Sequence, residues 1–209
     1  MKDMQTHWDK LYQLPPDTIP WEIATPPREL IEVIASMPIN RGAALDVACG
    51  TGNYSKYLAR CGFEVTGIDF SETAIKIATK RFGKESAHFK VGDVRHLKQV
   101  LGSATFDFIL DYSLLHHISG EDVANYAGQF KDLLRPGGKL LLVCYSEADP
   151  RANQRASITG EKGNEMYFRS RKEIELLYGA LKVQSYELSK LGKRHQHPAH
   201  SFVFTSPVS

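Results

Sequence analysis

Short apolar runs alternate along the chain with stretches in which apolar residues recur every three or four positions. Residues 43–48 (AALDVA) are the first run and predict a buried strand. NYSKYLARCG predicts a helix after it, closed by Gly62. FEVTGID (63–69) is a second strand, and Ser71 is placed to cap a helix carrying Ala74, Ala78 and Phe82 on one face. SAHFKVGD (86–93) predicts a third strand, followed by a short helical or irregular stretch to Gly102. FDFILDYS (106–113) predicts a fourth, nearly all apolar as a strand covered on both faces should be. One stripe, Val123, Tyr126, Ala127, Phe130, Leu133 and Leu134, predicts a helix that RPGG (135–138) stops. KLLLVCYS (139–146) is a fifth strand.

The two ends read differently. The first forty residues predict a helix over 3–13, a proline-containing loop, and a helix after TPP with Thr25 as its cap and Pro26 in its first turn. Leu30, Val33, Ile34 and Met37 form that helix's buried face. Ser170 and Glu173 have capping-box spacing at the start of RKEIELLYG, which Gly179 closes. Strands at roughly 181–189 and 200–206 follow with no helix-length crossover between them, so they should pair antiparallel. The expected fold class is α/β: a Rossmann-like, seven-stranded, mostly parallel sheet with helices on both faces and an antiparallel C-terminal strand pair. We expect one domain over 1–209, with a helical cap (1–40), a core (41–146) and a tail of polar loop, helix and strand pair (147–209).

Composition narrows the class. The 209 residues are 42% hydrophobic and 24% charged, with no apolar tract long enough to span a bilayer. The start, MKDMQTHWDK, has no apolar core behind its charges and does not read as a signal peptide. Three cysteines, at 49, 61 and 144, fit reduced thiols in a cytoplasmic protein. A net charge of +2 gives no large field for gripping nucleic acid, so neither nucleic acid nor membrane is an expected partner.

Candidate chemistry begins at ALDVACGTGNYS (44–55). In an open α/β sheet, ligands lie beyond the carboxyl ends of the strands where strand order reverses. Gly50 and Gly52 allow a sharp turn and close main-chain contact, and the helix start beyond them favours an anionic group. Asp46 lies in the strand just before, where it would repel a pyrophosphate but suit an ammonium group. Acids also close the next two strands. Asp69 is placed to accept from a ribose diol and Asp93 from an exocyclic adenine amine, with Phe70 and Val94 as apolar contacts to the ring. Each acid alone could simply cap the helix after it; three beside one glycine loop are hard to explain as caps. Dinucleotide binding fits less well, because Ser55 stands where its motif needs Gly or Ala, and no Lys-Ser or Lys-Thr pair follows the glycines as in a phosphate loop.

ALDVACGTGNYS, VTGIDFSETAI, VGDV, FDFILDYSLLHHI and LLRPGGKLLLV, in this order, resemble the successive motifs of class I S-adenosylmethionine-dependent methyltransferases over residues 40–146. The family pattern often has glycine where Ala48 stands. The resemblance implies S-adenosyl-L-methionine as cofactor and S-adenosyl-L-homocysteine as product. It implies that Asp46, Ala48, Gly50 and Gly52 contact the methionine part, Asp69 the ribose, and Asp93 with Val94 the adenine. Asp111 and Tyr112, after the fourth strand, would lie beside the sulfonium and its tail. HWDKLYQ with IPWEIATPPRELI is similar to the entry region of thiopurine, thiol, halide and tellurite methyltransferases, which implies that Trp8, Tyr12 and Trp21 roof the cofactor; the alternative is that they are helix-face residues packed on the sheet.

The acceptor side is less determined. DYSLLHHI (111–118) places His116 and His117 where an imidazole can take a proton from an oxygen or nitrogen nucleophile; we select His116 as the catalytic candidate, the alternative being a turn cap. Arg151, Arg155 and Lys162 lie in a polar run that could attract an anion or simply be solvated. His195, His197 and His200 lack an obvious fourth metal ligand and read as a solvated hairpin; no metal is expected. Cys49 reads as a packing residue. No Asn-Pro-Pro-Tyr or Asp-Pro-Pro-Tyr run and no Pro-Cys nucleophile is present, and no nucleic-acid domain is appended. The expected acceptor is a small molecule (a thiol, a halide or an oxygen or nitrogen compound) reached by in-line displacement. The alternatives are an inactive cofactor-binding partner or sensor, and a macromolecule methyltransferase with a targeting subunit.

Overall fold

A computed structural model describes residues 2–83, 87–154, 165–192 and 196–208. Seven strands form one sheet: β1 (Ala43–Val47), β2 (Glu64–Asp69), β3 (Ala87–Val91), β4 (Phe106–Tyr112), β5 (Leu134–Tyr145), β6 (Lys182–Leu191) and β7 (His197–Thr205). Their order is β3-β2-β1-β4-β5-β7-β6. The first five run parallel, and β7 pairs antiparallel with both β5 and β6. Strand order reverses at β1, which lies between β2 and β4, so the glycine loop leaves the sheet at the switch point.

Helices cover both faces: α1 (Lys2–Leu11), α2 (Arg28–Ser36), α3 (Asn53–Arg60), α4 (Glu72–Phe82), α5 (Leu97–Leu101), α6 (Val123–Gly128), α7 (Phe130–Leu133) and α8 (Arg171–Leu177). Side chains alternate across a strand. Leu45, Val47 and Ile109 therefore pack with Tyr126, Phe130 and Ile174 on the α5–α8 face. Ala44, Phe108 and Leu110 pack with Leu30, Val33 and Leu58 on the α2–α3 face. The Ser71 cap is present, its Oγ accepting from the Ala74 N–H, and Ser170 and Glu173 form the complete capping box.

Four local expectations are corrected. Thr25 does not cap α2: the helix begins at Arg28 with Pro27 as its N-cap. Pro26 precedes another proline, and that position disfavours helical backbone. The helix drawn over 123–134 is divided at Gln129, whose Nε2 donates to the Val94 carbonyl, into α6 and α7. RPGG does not delay β5, which starts at Leu134 and takes the turn as an irregularity opposite Phe106 and Phe108. His200 is no hairpin residue: it lies buried within β7, with Nε2 2.8 Å from Glu147 Oε2 and Nδ1 3.0 Å from Tyr186 Oη. Arg155, Lys162 and His195 lie outside the described residues.

Candidate functional site

Beyond the carboxyl ends of β1–β5 opens a cavity of about 1340 Å³. At one end it is lined by Asp46, Ala48, Gly50, Asp69, Phe70, Asp93 and Val94, under Trp8, Tyr12 and Trp21 from the N-terminal segment. Asp46 accepts from Ser55 Oγ at 2.6 Å. Burial, with the Asp69 carboxylate adding to it, pushes the Asp46 carboxyl up to about 7 against that bond. Asp69 accepts from the Gly50 N–H (2.8 Å) and the Ser71 N–H (2.9 Å), and burial still raises it to about 6. Asp93 does cap the turn after it, accepting from the Arg95 N–H and guanidinium. Burial would raise its pKa, but those bonds outweigh burial and hold it low.

The loop's backbone is unusual at Ala48, a non-glycine residue with φ of 56°. At Gly50 (φ 53°) a Cβ would stand 2.9 Å from Tyr12 Oη, so the missing side chain lets the N-terminal segment approach the loop. Gly52 answers a different need: a Cβ there would meet the Phe89 ring at 2.9 Å, and Gly52 does not line the cavity. Asp111 does not line it either. As Tyr112 faces the cavity, alternation turns Asp111 to the α5–α8 face, where it accepts from Tyr126 Oη at 2.7 Å. The structure thus takes Gly52 and Asp111 out of the cavity lining and keeps the other nominated residues within it.

The roof is fixed by polar ties that local sequence does not reveal. Asp9 of α1 accepts from Ser71 Oγ (2.5 Å) and the Thr73 N–H (2.9 Å) at the start of α4. Glu22 takes bonds from Thr51 Oγ1, Asn53 Nδ2 and Arg81 Nη1, closing the segment against the glycine loop. Trp8 meets both Trp21 and His117 edge to face, with centroids 5.2 and 5.5 Å apart.

The other end of the cavity carries Tyr112, His116, His117, Tyr145, Arg151 and Tyr167. His116 is buried, with its ring 4.2 Å from Tyr145. Its Nδ1 accepts from the Tyr145 N–H at 3.4 Å, which leaves the proton of the neutral ring on Nε2. Burial first, then the neighbouring His117, Arg151 and Arg169, hold His116 well below the ordinary histidine range; burial lowers His117 to about 4. Both imidazoles are therefore neutral near pH 7. Arg151 sits 4.4 Å over the Tyr145 ring and is paired with Asp149. No group of metal-ligating side chains occurs among the described residues, and no helix among them is long and apolar enough to cross a membrane.

The donor set at the first end suits a cation. Two buried carboxylates that resist ionisation are stabilised by a positive ligand and would oppose a pyrophosphate. The sulfonium and ammonium of S-adenosylmethionine meet that requirement, so the residues present fit this group.

Residues 44–138 match the family model described as a methyltransferase domain. An uncharacterized methyltransferase of Mycobacterium bovis is 31% identical over 111 residues, 53% of this chain and 54% of that protein. A 2-heptyl-1-hydroxyquinolin-4(1H)-one methyltransferase of Mycobacteroides abscessus is 27% identical over 132 residues, 62% of this chain and 57% of that protein. The chain spans about half the length of these curated relatives. Among solved structures, one described as the conversion of a disulfide bond into a thioacetal group during echinomycin biosynthesis has a TM-score of 0.77 at 25% identity, covering 97% of this chain and 93% of its own. A SAM-dependent methyltransferase from Anabaena variabilis shares the fold (TM-score 0.72, 18% identity, 97% and 94% covered). The motif order, the sheet and the carboxylate-lined cavity agree with the match of residues 44–138 to a methyltransferase domain, and the chain has the fold of S-adenosylmethionine-dependent methyltransferases.

Proposed function

We propose that the chain methylates a small organic molecule through an oxygen or nitrogen that gives up a proton. S-adenosylmethionine, when bound, supplies an electrophilic methyl group on a sulfonium. In this reading Asp46 receives the ammonium of the methionine part, Asp69 the ribose hydroxyls, and Asp93 with Phe70 and Val94 the adenine. Trp8, Tyr12 and Trp21 exclude water above it. The acceptor lies among Tyr112, Tyr145 and Tyr167, aromatic walls that suit a planar ring.

The observation carrying this reading is the pair of neutral imidazoles in the same cavity as the cation-favouring carboxylates. His116 keeps its proton on Nε2 and so donates a hydrogen bond to the acceptor atom. His117 is the better candidate to take the proton, which moves the sequence-based choice by one residue. Imidazoles with so low a pKa are weak bases, and they suit an acidic hydroxyl such as a phenol or an N-hydroxy heterocycle better than an aliphatic alcohol. The similarity to a hydroxyquinolone methyltransferase supports that class.

Sulfur is the second reading, favoured by the likeness over nearly the whole chain to the structure described for disulfide-to-thioacetal conversion. A thiolate needs no base, so the two readings separate on the histidines. Calorimetric titration with S-adenosylmethionine, S-adenosylhomocysteine and NAD tests the cofactor; methyl transfer to phenols, N-hydroxy heterocycles and thiols tests the acceptor. Binding of NAD alone would overturn the reading.

A further inference from the structure

We infer that Arg169 is a positioning residue for the histidine turn: its buried guanidinium, outside the cavity lining, fixes the direction of His116 and His117 by binding the main-chain carbonyls on either side of them. The inference rests on the methyl-transfer reading of that cavity.

The turn is one 3-10 turn, Leu115–His117, which holds the Leu114 and Leu115 carbonyls through the His117 and Ile118 N–H groups but leaves those of His116 and Ile118 to outside donors. Residues 167–169 bind them instead. Arg169 Nη1 donates to the Leu115 carbonyl at 2.9 Å and Nη2 to the Ile118 carbonyl at 2.7 Å, while the Tyr167 N–H donates to the His116 carbonyl at 2.8 Å. A planar guanidinium presents its donors as a rigid fork, so two bonds to two carbonyls set an orientation as well as a distance. Arg169 is itself anchored, since its own carbonyl lies 3.1 Å from Nε2 of the buried His200 in β7. At the opposite end of the turn stands Asp111, whose carboxyl burial pushes up to about 7 against the bond from Tyr126 Oη.

A buried cation hydrogen-bonded only to carbonyls is costly to keep. An apolar side chain would avoid that cost but would take the Nη2 donor from the Ile118 carbonyl and the second donor from the Leu115 carbonyl, leaving the histidine ring directions unfixed. The charged and titratable groups that face His116 are His117 from the turn, Arg151 from the segment after β5 and Arg169 from below. The Tyr145 ring and N–H face it from β5. Arg169 thus bears on the ring's protonation as well as on its direction.

The test uses the full chain with labelled histidines, followed by NMR as the pH is lowered, with S-adenosylhomocysteine affinity measured in parallel; His116→Gln and His117→Gln assign the signals. Arg169→Met should broaden both ring signals and move His116 protonation only slightly toward the ordinary histidine range, because burial, His117 and Arg151 still hold it low. Its S-adenosylhomocysteine affinity should stay within about threefold of wild type, because Arg169 itself lies outside the cavity lining and only His117, through Trp8, touches the roof. Arg169→Lys, which keeps the charge and loses the fork, should hold the protonation behaviour but not the fixed ring signals. Histidine signals in Arg169→Met that match wild type would overturn the inference. So would loss of the thermal transition in both variants, which would make Arg169 a general structural cation. If the wild type binds no S-adenosylhomocysteine, the cofactor reading fails, and the histidine signals still report whether Arg169 sets the turn.

Discussion

The two ends of the cavity are built in different ways. At the cofactor end Asp46 is next to last in β1, Asp69 ends β2 and Asp93 follows β3 by two residues; Asp69 is held by Gly50 and Ser71, Asp93 by Arg95, and Asp46 by Ser55 in the first turn of α3. At the acceptor end the histidine turn is held by Tyr145 and by residues 167–169, about fifty residues away along the chain. The acids of the first end follow a repeated grammar of strand, acid and cap, although its roof is held by long-range ties. The second end is specified by long-range contacts throughout, and it meets the first where Trp8 packs on His117.

The sharpest way to separate the ends acts on rate. His117→Ala should slow transfer to phenol-type acceptors by about 10²–10⁴-fold, the range of general-base catalysis, while leaving thiols much less affected. Equal losses for both classes would reduce the histidines to shaping the pocket. The complementary change, Asp69→Ala, should weaken S-adenosylhomocysteine binding by roughly 10–150-fold, since charge-assisted bonds contribute about 1.5–3 kcal/mol each. Near-normal affinity by calorimetry would displace the cofactor from this end.

A third effect follows from the acids themselves. Asp46 has a folded-state pKa of about 7, above the ordinary carboxyl value of 3.8, so the folded chain holds this proton more tightly than the unfolded one. The ligand-free protein therefore loses stability as the pH rises from about 4 through about 7, and cofactor affinity rises over the same window as the carboxylate ionises. Asp46→Asn should melt a few degrees (~2–4 °C) above wild type at pH 8, converge with it near pH 4, and bind S-adenosylmethionine more weakly. Identical melting curves at pH 8 would show that Asp46 is not strained by its burial. The smallest effect is expected at Ala48, whose left-handed backbone costs about 1–2 kcal/mol in a non-glycine residue. Ala48→Gly should recover up to about 1 kcal/mol of this, because glycine is more flexible in the unfolded chain, and raise the melting temperature by roughly 2–4 °C.

Much of the first end was legible before the structure. Apolar runs of strand length, the capping residues Ser71 and Ser170, and the acids after successive strands are local signals, and each appears where the pattern places it. Asp111 shows a signal overlooked: strand alternation alone separates it from Tyr112, yet both were assigned to the cavity. Gly52 shows the opposite case, since only the position of Phe89 explains why a side chain is excluded there.

What the sequence determined by itself was the parallel sheet, its switch point and the acids beside it, because hydrophobic period, capping and strand ends are properties of neighbouring residues. What only the tertiary structure decided was the surroundings of the histidine turn and the closure of the roof: that His116 Nδ1 meets the Tyr145 N–H, where Arg169 points, and how Glu22 binds the glycine loop. Those depend on groups distant along the chain meeting in space, and burial at that meeting point sets both their geometry and their charge.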